Sequence, residues 1–149
     1  MTPNTKRTIL FTVLGLFAIG AGVAYYLYNK KPIDVEHATP DTRSSSVELY
    51  QAFSTDSLTA RKKFSQKNEV VEVSGIVSHI SKNLDDHAII LLKTNESSAS
   101  VNCTMEGLAG NIKEADNVII KGICTGMGMG DTDLGILGDV YLVRCYLVK

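Results

Sequence analysis

The residues with the most scope for chemistry lie in one glycine-rich stretch, Gly126-Met127-Gly128-Met129-Gly130-Asp131-Thr132-Asp133 through Gly138. Met127 and Met129 offer soft thioethers of the kind that suits copper(I), and Asp131 and Asp133 offer hard carboxylate oxygens. Two thioethers are too few for a copper site, and an Asp-x-Asp pair lacks the ligand count of a calcium loop. These four side chains are therefore candidates for ligand contact on a mobile, positive-φ loop, not metal ligands. The three cysteines, Cys103, Cys124 and Cys145, are evenly spaced, form no Cys-x-x-Cys pair and have no histidine beside them, so no zinc site is expected. Cys124 and Cys145 fall on strands joined by the glycine loop. A disulfide between them would close a loop of about 20 residues, worth about 3 kcal/mol; the competing reading is buried cysteine serving as a small hydrophobe.

His79 and His87 flank a turn, and His37 precedes the soluble region proper. Catalysis by a general base needs a nucleophile or an orienting carboxylate in reach. Asp85 and Asp86 beside His87 are the ordinary composition of a solvated turn. No catalytic residue, resident metal or cofactor is expected, and there is no phosphate-binding Gly-x4-Gly-Lys-Ser/Thr motif.

The elements that must position these residues follow from periodicity. Ser44-Ser45-Ser46 precedes apolar positions at Val47, Leu49, Tyr50 and Phe53, the pattern of a serine-capped helix. Ser54 or Thr55, with Asp56 behind it, restarts a second helix that ends in Arg61-Lys62-Lys63-Phe64, with cations at the negative end of the helix dipole. The period then becomes two. Strands are expected at 69–80, 87–93, 100–105, 118–124 and 139–148, with a helical turn or two at 106–113 from the spacing of Leu108 and Ile112. Gly75 and Gly122 fall midway along the first and fourth strands, where a coiled strand bends.

The order β-β-β-α-β-β behind a helical preface is that of the five-stranded oligonucleotide/oligosaccharide-binding (OB) barrel, a mainly β fold. Closure removes the edges that isolated strands would expose. Such barrels bind single strands on the second and third strands through aromatic and basic side chains. Here those strands read HAIILLK and SASVNCTM, with no aromatic residue, and the chain has no Trp.

Thr8 to Tyr28 contains no charged side chain, and Lys6-Arg7 and Lys30-Lys31 bracket the run. At 1.5 Å per residue it makes about 30 Å of helix, the thickness of a bilayer core. Tyr25, Tyr26 and Tyr28 before the lysine pair form an interfacial aromatic belt. A cleavable signal peptide is disfavoured, because its apolar region is usually shorter than this one. The expected layout is a tail (1–7), a transmembrane helix (8–28), a linker (29–43) and an OB domain (44–149). Flanking charge leaves orientation nearly tied. The short tail puts the domain on the extracytoplasmic, periplasmic side of a single-pass protein.

Charge is divided unequally: residues 1–32 carry four Lys/Arg and no acids, while residues 33–149 carry eleven Lys/Arg and sixteen Asp/Glu. A domain near −5 is a poor polyanion binder unless its cations cluster, which they do at Arg61-Lys62-Lys63 and Lys67.

ELYQAF leading through KKF to NEVVEVSGIVSHISK, then VNCTM, VIIKGICTG and DVYLVRCYLV, resembles the tRNA-anti-like OB-fold family over about residues 46–148. That resemblance implies a small, envelope-associated, often membrane-tethered bacterial protein, and it brings no established activity with it. The combined expectation is a non-enzymatic, membrane-anchored binding module at the cell envelope. It would contact lipid through its N-terminal helix and a protein or other envelope component through its barrel. Nucleic-acid binding is the alternative, and oligomeric state is open.

Overall fold

The computed structural model describes residues 3–29, 33–67, 69–131 and 133–148, with side chains from Phe11 onward. It divides into two compact units, Met1–Pro32 and Ile33–Lys149, and each is described by itself. Lys6-Arg7 and Lys30-Lys31, the expected flanking charges, lie outside the described side chains.

The first unit is one helix, α1 (Pro3–Asn29). Its Phe11–Asn29 segment, with mean hydropathy 1.6, is long and apolar enough to cross a membrane. Every described side chain on it is exposed, including Phe11, Leu14, Phe17 and Ile19. A helix that is apolar on all sides is suited to lipid.

In the second unit, β1 (Thr42–Ser45) leads into α2 (Ser46–Thr55) and α3 (Ser57–Phe64). Five further strands follow: β2 (Val71–Lys82), β3 (Ala88–Lys93), β4 (Ser100–Met105), β5 (Asn117–Met127) and β6 (Val140–Leu147). Strands β2-β3-β4-β6-β5 are neighbours in that order, and β5 returns to β2 to close the ring. All pairs in the ring are antiparallel except β4–β6, which is parallel. The mainly β, closed five-stranded barrel expected from the sequence is therefore present.

The first helix begins at the expected serine cap, whereas the second is capped by Asp56, with the expected Ser54 and Thr55 ending α2 instead. Ser45 accepts from the Glu48 N–H at 3.1 Å, and Asp56 accepts from the amides of Leu58 and Thr59 at 3.1 and 3.2 Å. These side chains satisfy amide donors that have no partner within the helix. Leu49, Tyr50 and Phe53 of α2 and Phe64 of α3 enter the core formed by Val71, Val73, Ile90, Leu92, Val101, Ile120 and Leu142. The Phe53 and Phe64 rings pack with centroids 6.3 Å apart.

Three expectations are corrected. First, residues 106–113 form bends and turns, not a helix. Gly107 and Gly110 break the pattern, Gly110 at φ +62°, and Leu108 is exposed, so the segment lacks the continuous apolar face that would hold it helical. In its place α2 contacts β1, β2, β3, β4 and β6, covering the barrel from the N-terminal side of the chain.

Second, the compact domain begins at Ile33, ahead of the expected boundary at 44. Val35 is buried, Asp41 holds Val70 through its backbone and its carboxylate, and Ala38 O accepts from Lys121 Nζ.

Third, a sixth strand exists. β1 pairs in parallel with residues 71–74 of β2, along the stretch that β3 does not reach, and so protects a sheet edge. Gly75 has a packing role here: a Cβ on it would lie 2.6 Å from Ser46 Oγ, which donates to Lys93 O.

Candidate functional site

The β5–β6 connection is a structured hairpin. Gly128 N donates to Asp139 O at 2.8 Å, and Asp131 and Ile136 exchange backbone hydrogen bonds at 2.8 Å. One Asp131 oxygen accepts from the amides of Asp133 and Leu134 at 3.0 and 3.2 Å, so this carboxylate closes the turn of its own loop. Asp139 is also engaged, accepting from the N–H and hydroxyl of Ser100. Asp133 and Met129 face solvent, whereas Met127 is half-buried against the core. The four candidate contact residues thus share a loop without converging on a common point. Among the described residues no group of three or more His, Cys, Asp or Glu is placed to hold a metal ion.

All three cysteines are buried free thiols inside the barrel. The expected Cys124–Cys145 bridge is not formed. Register sets Leu142 across from Cys124, and a bulge carries Cys145 to the position facing Gly122. The Cys145 thiol sits against Gly122, while Cys124 accepts from the Ser65 hydroxyl at 3.4 Å. Burial pushes the Cys124 and Cys145 thiols up, which disfavours the reactive thiolate.

Another concavity lies elsewhere, and sequence reasoning missed it. A cleft of about 1060 Å³ opens between the β2–β3 turn, the 106–111 segment and the end of β6. Its polar walls are tied to one another. Lys82 Nζ meets Asp86 at 2.7 Å, His87 Nδ1 donates to Met105 O at 3.1 Å, and Arg144 Nε from behind holds Glu106 at 2.9 Å. Tyr146 forms an aromatic wall and packs so closely on Gly107 that a Cβ there would lie 2.7 Å from its ring. Burial and then the Glu106 carboxylate push the Tyr146 phenol up. The position of Tyr146, five residues after Tyr141, gave no sign of this role, because Arg144 at φ +54° shifts the alternation of β6.

The other histidines sit apart from this cleft. His37 bonds Asp34 at 2.9 Å and His79 bonds Glu114 at 2.8 Å, both on exposed surface. The face that binds ligands in many such barrels, the outer side of β3 and β4, carries Ile89, Leu91 and Lys93 opposite Thr104, Asn102 and Ser100. Tyr141 stands beside Asn102 on that side, exposed.

The tRNA_anti-like family matches residues 1–134, nine-tenths of the chain and inclusive of α1. This chain belongs to that family. Two solved structures resemble this tRNA_anti-like protein. One is described as a "putative nucleic acid-binding lipoprotein" from Klebsiella pneumoniae subsp. pneumoniae MGH 78578, at 17% identity and TM-score 0.48, covering 80% of this chain and 100% of its own. The other is the OBody AM3L09 bound to hen egg-white lysozyme, at 19% identity and TM-score 0.35, covering 55% of this chain and 83% of its own. No curated protein matches.

Proposed function

We propose that this tRNA_anti-like protein is a membrane-anchored, non-enzymatic binding module of the cell envelope. Its barrel lies on the extracytoplasmic side and recognises a protein or another envelope component. The observation that carries this reading is the cleft at Tyr146, whose charged and polar walls are already paired (Lys82 with Asp86, Glu106 with Arg144). Groups locked in this way offer a pre-organised contact surface. The apolar α1 helix supports anchoring, which raises effective concentration at the membrane.

Proximity labelling in the native cell, from a tag at the C-terminus, tests side and partners together. Envelope neighbours that are lost on Tyr146→Ala support the proposal. Exclusively cytoplasmic neighbours, or a neighbour set unchanged by Tyr146→Ala, overturn it.

Tyr141 favours a second reading, single-strand nucleic-acid binding, because it places one aromatic ring beside Asn102 on the outer face. Micromolar, salt-sensitive binding of single strands that disappears in Tyr141→Ala would support that alternative. Absence of binding at low salt would remove it.

A further inference from the structure

The Gly-Met-Gly-Met-Gly stretch of the β5–β6 hairpin has a chemistry that the cleft does not use. Gly128 and Gly130 sit where the two arms of the hairpin press together. A Cβ on Gly128 would lie 2.8 Å from the Tyr141 ring. One on Gly130 would press on Ile136 O and lie 2.7 Å from Gly138 N. Backbone packed this closely leaves no room for a side chain at either position. The side chain between them, Met129, is 102% exposed, and neither flanking residue has a side chain to shade it.

The other described methionines differ. Met127 stands at the end of β5, half-buried against the core and in register with the fully buried Val140. Met105, on β4, is 1% exposed. The three thioethers form a series of falling access: open, shared with the core, and enclosed.

A thioether is oxidised at sulfur by a peroxide in a two-electron step. The sulfur lone pair attacks one peroxide oxygen, the O–O bond breaks, an S–O bond forms and water leaves. Sulfur and oxidant must touch, so the rate follows exposure. The product is polar and chiral where the reactant was apolar and flexible. At Met129 the new oxygen meets water and leaves the fold undisturbed. At Met127 it meets the apolar edge of the core, where an oxygen without a donor is destabilising.

We infer that this hairpin is a site of reversible oxidation by peroxides, taken first at Met129 and transmitted to the barrel only at Met127. The Met127 sulfoxide loosens the end of the β5–β6 ladder, where Gly128 N donates to Asp139 O at 2.8 Å and Tyr141 rests on Gly128. Neither effect depends on a bound partner, on lipid or on the cleft.

The full chain in peroxide-free detergent would be treated with hydrogen peroxide and sampled over time. Peptide mapping by mass spectrometry reads oxygen uptake at each methionine, and urea midpoints read the fold. The expected order is Met129 at the rate of a free methionyl peptide, Met127 several-fold slower, and Met105 only on unfolding. The midpoint is expected to hold while Met129 alone is modified and to fall as Met127 follows. Met127→Leu, a swap of similar volume, should hold its midpoint throughout, and Met129→Leu should lose it as the parent does. Methionine sulfoxide reductases for both epimers should restore the midpoint of the oxidised parent. Oxygen uptake at Met129 no faster than at Met105 overturns the accessible site. A midpoint that falls in Met127→Leu before Met105 is modified overturns transmission through Met127. So does a midpoint that holds in the parent after Met127 is fully modified.

Discussion

The Cys145 thiol fills the space that a side chain at position 122 would need: a Cβ on Gly122 would lie 2.6 Å from Sγ and 3.1 Å from Val143 O. The bulge in β6 creates this pairing, and it ties the closure of β5 on β6 to one glycine and one small buried thiol. Gly122→Ala is expected to destabilise the domain by about 1–3 kcal/mol through overpacking. Cys145→Ala in the same chain should recover part of the loss. Urea midpoints of the single and double variants measure both effects, and strict additivity would disprove the contact as the cause.

The three thiols are shielded by the barrel. Intact protein is expected to show no mass difference on reduction and to be alkylated only as fast as it unfolds. Alkylation in native buffer at the rate of a free peptide thiol would contradict this burial. A mass increase on reduction would contradict the free-thiol state.

Asp56 holds the start of α3, and its hydrogen bonds to Thr59 and Leu58 set its carboxyl below the ordinary value. A lowered folded-state value means that the unfolded chain binds more protons in the intervening pH range, so stability rises with pH there. The contribution of this cap is complete above the unfolded carboxylate value and is lost as pH falls through the folded one. Asp56→Asn keeps an acceptor at the cap and removes that titration. Urea midpoints followed from neutral to acid pH should therefore fall less steeply for Asp56→Asn than for the parent protein.

Ala115 sits at φ +71°, and its N–H donates to Val77 O at 2.9 Å. A left-handed residue with a Cβ costs about 1–2 kcal/mol, offset in part by the extra freedom of unfolded glycine, about 0.5–1 kcal/mol. Ala115→Gly is expected to stabilise the domain by up to about 1 kcal/mol in equilibrium unfolding. A loss of stability would show that this turn is not strained.

Much of the architecture was legible because it is written in local pattern. Alternation gave β2 to β6, the serine run gave the start of α2, and an uncharged apolar run gave α1, while the cap of α3 fell on Asp56 and not on the expected Ser54 or Thr55. Strand β1 was not legible: Thr42-Arg43-Ser44-Ser45 has no strand pattern of its own and becomes one only because β2 leaves an edge bare. The helix expected at 106–113 failed for the converse reason, since two apolar residues four apart do not make a face when glycines interrupt them.

Local residue pattern settles the inventory: an apolar helix, capped helices, five strands of sufficient length and the side chains available for contact. Only the tertiary structure decided neighbourhoods. It set Cys145 against Gly122, turned Asp131 into its own turn, and brought Tyr146 to Gly107 across a cleft. The physical reason is register. Barrel closure and the bulges in β2 and β6 fix which residue faces which across strands, and these offsets arise from packing the whole ring at once.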